Sequence, residues 1–311
     1  MEVRSFLSID DLTSRELGAL FDLTREVKAT PEVFATRLAG KSLAMIFQKS
    51  STRTRVSFEV GMAQLGGQAL FLSASDLQLG RGETIADTAR VLSRYVDGIM
   101  ARTFAHSDVE ELAQFGTIPV VNGLTDRLHP CQAVADYFTL SELFPDLTGR
   151  KLAYVGDGNN VAHSLLLGAP KVGMNIAVAT PREFEPDPTI VAKARRRAEE
   201  AGTRVQLVHD PSEAAEDASA IYTDVWASMG QESEAEQRRR LFKGYTVDSR
   251  LMSLARAEAV FLHCLPCHRG EEVSAEVADG PQSKIFRQAE NRLHAQKAIL
   301  LWLMGGEPIS G

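Results

Sequence analysis

Residues 43–65 read LAMIFQKSSTRTRVSFEVGMAQL, and this stretch decides the fold. The apolar run at 43–47 has the length of a buried strand and lacks the alternation of a half-exposed one. A polar turn follows at 49–55. Residues 54–65 then read as a helix with Val56, Val60 and Ala63 on one face. The strand–turn–helix pattern recurs along the chain. Residues 98–101 and 118–121 read as strands, 152–155 restarts the series, and 176–179, 205–208, 220–223 and 259–262 continue it. Apolar strands alternating with helices predict an α/β fold built of parallel sheets covered on both faces.

The turn-rich FPDLTGR at 144–150 precedes a fresh strand and predicts a domain boundary. Two domains are expected, 1–147 and 148–287, the second Rossmann-like, each a parallel sheet flanked by helices. A last helix over 288–304 carries Leu293, Ile299, Leu300 and Leu303 on its apolar side. The chain has 311 residues, 44% hydrophobic and 24% charged, which fits a soluble globular protein of about two domains. Its net charge of −7 argues against a general nucleic-acid surface. An anion must therefore be held by a local cluster working against the global charge. The arginine runs at 195–197 and 238–240 are flanked by glutamates and read as solvated helix faces. Cys131, Cys264 and Cys267 are too few for a disulfide framework and predict free thiols in the cytoplasm. The N-terminal residues lack a signal or transit pattern, and no apolar run approaches the ~18 residues of a membrane span.

The turn KSSTRTR at 49–55 is the sharpest chemical feature. A strand-to-helix turn presents free N–H groups at the positive end of the helix dipole. Ser51, Thr52 and Thr54 add hydroxyls, and Arg53 adds a planar fork suited to phosphate. An ordinary N-cap needs one hydroxyl, not four in five positions among three cations. The glycines of a Walker A loop are missing.

Four weaker motifs accompany it. HPCQ at 129–132 places His129 before Pro130 at a helix start, with a capping histidine and a buried Cys131 as the bland alternative. GDGNNVAHS at 156–164 is a partial dinucleotide fingerprint with Val161 where the third glycine belongs. Asn160 on this turn could hold a carboxylate or an amide. DVWASMG at 224–230 puts Asp224 at a strand C-terminus, where an ammonium or a simple Asx-turn would suit it. HCLPCH at 263–268 formally matches a haem attachment signature and contains two cysteines and two histidines. Haem lacks the export signal, Pro266 limits convergence on zinc, and Cys264 reads best as a substrate-facing thiol.

Together these pieces resemble the aspartate/ornithine carbamoyltransferase family, in order from about residue 6 to residue 304. STRTR at 51–55 is similar to its carbamoyl-phosphate loop and HPCQ to its second element for that donor. DVWASMG and HCLP match its ornithine-using members. Residues 78–88 resemble its mobile loop, which reaches a neighbouring subunit's site. Ser50 and Cys267 depart from the family pattern but remove no expected ligand.

The resemblance implies carbamoyl transfer from carbamoyl phosphate to the δ-amine of L-ornithine, giving L-citrulline and phosphate, in arginine metabolism. It implies a homotrimer, or an assembly of trimers, with active sites at subunit interfaces, and a last helix packing back on the first domain. Ser51, Thr52, Arg53, Thr54, Gln78, Arg102, His129, Gln132, Cys264, Leu265 and Arg292 are then expected on carbamoyl phosphate. Thr54, Arg102 and His129 would polarise the carbamoyl oxygen, Gln132 would orient its amine, and Gln78 would come from a neighbouring chain. Asp224 and Ser228 are expected on the α-ammonium of ornithine, Asn160 and the backbone near Met229 on its carboxylate, and Cys264 at its δ-amine. No step requires a metal or an organic cofactor, and neither nucleic acid nor membrane is an expected partner. An aspartate-using member would need extra cations, for which Arg269 is the one candidate. An N-acetylornithine enzyme would leave Asp224 without a partner ammonium, and a putrescine enzyme would leave Asn160 without a carboxylate. The rivals outside catalysis of this kind are an NAD-dependent dehydrogenase and a non-catalytic partner-binding paralogue.

Overall fold

A computed structural model describes residues 3–73, 82–227 and 235–309. The chain divides into two compact units, Met1–Phe138 with Asn291–Gly311, and Thr139–Glu290. The first contains a parallel sheet of order β2-β1-β3-β4, formed by β1 (Ser42–Phe47), β2 (Gln68–Ser73), β3 (Gly98–Arg102) and β4 (Val120–Leu124). Its helices are α1 (Ser14–Ala29), α2 (Thr52–Gln64), α3 (Ile85–Leu92) and α4 (His106–Phe115). The second contains a parallel sheet of order β7-β6-β5-β8-β9, from β5 (Lys151–Val155), β6 (Asn175–Ala179), β7 (Val205–Val208), β8 (Ala220–Thr223) and β9 (Val260–His263). Its helices include α6 (Asn160–Gly168), α7 (Pro188–Ala201), α8 (Pro211–Ala215) and α9 (Ala235–Leu241). Two helices run through the dividing points, α5 (Pro130–Leu143) and the last helix, Ile285–Met304.

The apolar runs become strands because both faces of each sheet are covered. Every residue of β3, β8 and β9 is buried, as are the last five residues of β1. Strand β2 is the exception. It closes one edge of its sheet and is largely exposed. Helix α2 departs from the expected facing. Phe58 and Met62 are fully buried, whereas Val56 and Val60 lie 49% and 38% exposed and Ala63 is also exposed. The stripe that packs on the sheet is the one carrying the larger side chains.

Both sheets reverse their strand order at one place, between β1 and β3 in the first unit and between β5 and β8 in the second. Open parallel sheets bind ligands at the C-terminal ends of strands flanking such a switch point. The turns leaving these strands hold Ser51–Thr54, Arg102, Asn160 and Asp224, the polar residues singled out from the sequence.

Candidate active site

In the first unit, β1 delivers the chain to the N-terminus of α2. Ser51 caps this helix, its Oγ accepting from the Thr54 N–H at 3.2 Å. Its hydroxyl also donates to Thr54 Oγ1 at 3.2 Å. Thr54 is fully buried, and its Oγ1 accepts from Arg292 Nη2 at 3.0 Å. A helix 238 positions away thus brings a guanidinium to the mouth of α2. Arg102 ends β3 opposite Phe47, and its carbonyl accepts from the Gln48 N–H at 2.8 Å. The register against β4 shifts between Ala101 and Arg102, and such an irregularity re-aims a side chain at a sheet edge. Arg102 and Arg292 are both buried.

His129 precedes α5 and is also buried. Its carbonyl accepts from the N–H groups of Gln132 and Ala133. Burial, then the charges of Arg292, Arg102 and Arg53, hold the imidazole well below its ordinary value. Burial and these three positive charges favour a neutral ring, which can donate a hydrogen bond without carrying charge. Gln132 is buried and donates to Asp136 Oδ1 at 2.7 Å, while its Oε1 has no hydrogen-bond partner among the described residues. A buried amide oxygen in that state is costly unless something else satisfies it. Cys131 has a partner of its own. It is fully buried, donates to the Asn122 carbonyl at 3.3 Å, and its thiol is pushed up to about 12 by burial.

The other two cations of the turn have different partners. Lys49 pairs with Asp126 and sits 4.4 Å above the Phe104 ring. Arg55 pairs with Glu59 at 3.0 Å and lies over Phe71. Thr52 is exposed, and Gln78 falls outside the described residues.

In the second unit, Asp224 follows β8 and is buried. Its Oδ1 accepts from the N–H of the next residue, Val225, at 2.9 Å, not from the residue two positions on that an Asx turn would use. The same oxygen accepts from Cys264 Sγ at 3.0 Å, and Oδ2 accepts from Asn159 Nδ2 at 2.8 Å. Asn159 caps α6, its Oδ1 receiving the N–H groups of Val161 and Ala162. It ties the turn after β5 to the strand end of β8, a role the sequence did not disclose. Asn160 is the first residue of α6 and is half-buried. Leu265 has φ +61 and precedes a cis bond to Pro266. Ser228 and Met229 fall outside the described residues.

Three rival readings meet specific obstacles here. A Cβ on Gly158 would lie 2.3 Å from Pro186 N and 2.5 Å from the Phe184 carbonyl. The face of the turn that a dinucleotide phosphate would approach is packed against the chain's own backbone. Arg269, the cation an aspartate site would need, donates to both oxygens of Asp279 at 2.8 and 2.6 Å. Asp224, His263 and Cys264 offer metal-ligand atoms within 4.8 Å of one another. Yet His263 Nδ1 already accepts from the Leu265 N–H at 2.8 Å, and both Asp224 oxygens accept hydrogen bonds, so these donors form a network rather than an open ligand set. One further expectation is corrected. Arg238 is not on a solvated face: it is buried, donating to Asp157 Oδ2 at 2.8 Å and to the Trp226 carbonyl at 2.7 Å.

Two family models match the chain. A family model described as the carbamoyl-P binding domain of aspartate/ornithine carbamoyltransferase matches residues 4–142. A second, described as the Asp/Orn binding domain, matches residues 148–303. The chain is 59% identical over 303 residues to ornithine carbamoyltransferase of Symbiobacterium thermophilum, covering 97% of this chain and 98% of the relative. It is 55% identical over 305 residues to an anabolic ornithine carbamoyltransferase of Pyrococcus furiosus, covering 97% of each chain. The solved structure of ornithine carbamoyltransferase from Pyrococcus furiosus superposes with a TM-score of 0.94, covering 98% of both chains at 55% identity. That of the anabolic enzyme from Campylobacter jejuni gives 0.92 at 39% identity, covering 98% of this chain and 100% of the other. The chain belongs to the aspartate/ornithine carbamoyltransferase family.

Proposed function

We propose that the protein transfers the carbamoyl group of carbamoyl phosphate to the δ-amine of L-ornithine, giving L-citrulline and phosphate for arginine biosynthesis. The observation that carries this reading is the cluster at the mouth of α2, where buried Arg292 bonds Thr54 Oγ1 beside the Ser51 cap, and buried His129 is disfavoured as a cation by burial first and then by Arg292, Arg102 and Arg53. Such a cluster in a chain of net charge −7 fits a phosphoryl dianion.

In this reading Ser51, Thr52, Arg53 and Arg292 bind the phosphate of the donor, with Gln78 of a neighbouring copy. Thr54, Arg102 and the neutral ring of His129 donate to the carbamoyl oxygen, where charge builds as the tetrahedral intermediate forms. Gln132 Oε1 and the Leu265 carbonyl accept from the carbamoyl amide. In the second unit, Asp224 and Ser228 bind the α-ammonium of ornithine, and Asn160 with the Met229 backbone binds its carboxylate. The δ-amine has an ordinary value near ~10.4 and must lose a proton before it attacks. Cys264, hydrogen-bonded to Asp224, is the group to which we assign that relay. The first proton of the δ-ammonium passes to Cys264 as the thiol gives its own proton to Asp224; the neutral amine then forms the C–N bond, the C–O bond to phosphate breaks, and a second N–H proton leaves with the phosphate.

We further infer a homotrimer in the cytoplasm. The exposed side chains of Val56, Val60, Leu70 and Phe71, on α2 and the edge strand β2, support a covered face in the first unit. The three free thiols fit a reducing compartment. Among the described residues, no helix is long and apolar enough to cross a membrane. The test is a citrulline assay with carbamoyl phosphate and four acceptors, ornithine, aspartate, N-acetylornithine and putrescine. Product with ornithine alone is expected; faster turnover of any other acceptor refutes the reading.

A further inference from the structure

The second unit carries a cavity of about 420 Å³ that none of the roles above employs. That volume is in the range of small-ligand sites. Two segments wall it. Asp210 and Ser212 come from the start of α8, and Asp248, Arg250, Leu251 and Leu254 come from a short helix, α10 (Ser249–Met252), and its flanks. Asp210 lies two residues beyond β7, which is three strands away from β8 and Asp224 in the sheet. That is roughly 14 Å across the sheet, so the cavity stands apart from the groups assigned to ornithine. The two walls are tied together. The Tyr245 hydroxyl donates to the His209 carbonyl at 2.6 Å. The Val247 N–H donates to the Glu272 carbonyl at 2.9 Å, and the Val247 carbonyl accepts from the Ser274 N–H at 3.0 Å. A cavity whose walls are already fixed orders little backbone when it takes a ligand.

The charges lining this cavity set it apart from the surface around it. Asp210, Asp248 and Arg250 all line it, and none of the three has an ion pair among the described residues. Nearby arginines are paired: Arg239 lies 2.9 Å from Glu271, Arg240 2.6 Å from Glu236, and Arg269 2.6 Å from Asp279. Each aspartate spends one oxygen on a helix cap. Asp210 Oδ1 accepts from the Ser212 N–H at 2.8 Å, and Asp248 Oδ1 accepts from the Leu251 N–H at 2.8 Å. Their second oxygens accept no hydrogen bond among the described residues. Two carboxylates and one guanidinium give the cavity a net charge of −1. Concave walls of low dielectric focus the field of such a set on whatever enters.

We propose that this cavity is a binding site for a dibasic α-amino acid, one whose side chain ends in a second cation. The carboxylate of the ligand takes the fork of Arg250. The α-ammonium and the side-chain cation take the second oxygens of Asp210 and Asp248, and the methylenes between them lie along Leu251 and Leu254. The ligand's charge of +1 then matches the cavity's −1. Other small ions fit worse. A diamine leaves Arg250 unpaired beside two cations, an amino acid with an apolar side chain leaves one aspartate unpaired, and a dicarboxylate meets two like charges. The site is separate from the transfer chemistry, so its occupant need not be a substrate.

The test is isothermal titration of the full chain with L-lysine as the probe, for the wild type and three variants. Saturable binding with a Kd of about 1 mM or tighter is expected for the wild type. Arg250→Met removes the fork and is expected to raise that Kd about tenfold. Asp210→Asn and Asp248→Asn keep the capping oxygen, remove the charge, and are each expected to raise it about fivefold. Cadaverine, which lacks the carboxylate, and L-norleucine, which lacks the second cation, are each expected to bind at least about fivefold more weakly than L-lysine. The melting midpoints of the variants are expected to match the wild type, because these side chains hold nothing beyond the two caps. Should an aspartate variant fail to fold, Arg250→Met carries the test, since that side chain is exposed and has no ion pair among the described residues. Absence of saturable L-lysine binding at about 10 mM, an unchanged Kd in Arg250→Met, or cadaverine binding as tightly as L-lysine overturns the proposal.

Discussion

Replacing Arg292 by methionine keeps most of the side-chain volume and removes one of the three guanidiniums that act on His129. Arg292 is 4% exposed and donates to Thr54 Oγ1 at 3.0 Å, so its charge works in a dry environment. A hydrogen bond to a charged group contributes about 1.5–3 kcal/mol. At about 1.36 kcal/mol per factor of ten, that predicts a KM for carbamoyl phosphate raised roughly 10- to 150-fold. If the contact strengthens as charge leaves with the phosphate, kcat falls as well, with ~10²–10³ as the usual loss for one such donor. The KM for ornithine is expected to stay within a factor of about two, since its binding groups belong to the second unit. Steady-state rates with each substrate varied at saturating partner supply the numbers. A protein with unchanged KM for carbamoyl phosphate and a raised KM for ornithine would refute the assignment of Arg292 to the donor.

Three further outcomes are expected. His129 is held well below its ordinary value, by burial first and then by Arg292, Arg102 and Arg53. As pH falls through ~6.5 the unfolded chain binds a proton there that the folded chain refuses, so stability drops with falling pH. His129→Gln should flatten the decline in melting temperature between about pH 7.5 and 5.5, and an identical decline in both proteins would refute this. Cys131, with its thiol pushed up to about 12, should resist iodoacetamide in the native chain at pH 8 while half-buried Cys264 and Cys267 react; peptide mass spectrometry finding Cys131 labelled first would overturn it. Gly158→Ala forces a Cβ to within 2.3 Å of Pro186 N, a backbone atom that cannot swing aside. Overpacking of this kind typically costs ~1–3 kcal/mol, so a lowered melting midpoint in urea is expected, and an unchanged midpoint counts against the packing described.

The strands legible in the sequence are those buried on both faces, such as the apolar runs of β1, β3 and β8, because burial on two sides leaves little reason for a polar residue. Strand β2, QALFLS, went unread for the converse reason: it is an exposed edge strand following Gly66-Gly67, and its residues obey neither pattern. The strand expected at 118–121 begins and ends later, at Val120–Leu124, because Asn122 and Gly123 are polar or small and do not look like strand. Asn122 belongs there because its amide donates to the Leu7 carbonyl at 2.9 Å, a partner 115 positions away. The facing of α2 was misjudged because its valines formed a stripe as regular as the one that packs. Arg238 was misread because only the folded chain brings Asp157 to it.

The candidate site divides along the same line. Residues adjacent in sequence could be grouped by eye, as Ser51–Thr54 were. The pairings that give them their chemistry span 238 positions for Thr54 and Arg292 and 40 for Asp224 and Cys264, and no local pattern encodes them. The bland and functional readings of Ser51 also prove compatible. Its hydroxyl caps α2 through the Thr54 N–H, and that cap fixes the helix mouth on which an anion would rest. The same economy holds at Asp224, whose carboxylate accepts from the adjacent Val225 N–H and still accepts from Cys264 and Asn159. At both strand ends the residue that shapes the backbone is the one that presents the chemistry. Substitutions there should therefore disturb local structure and catalysis together, whereas Arg292, which reaches the α2 mouth from a distant helix, can be removed with the turn left standing.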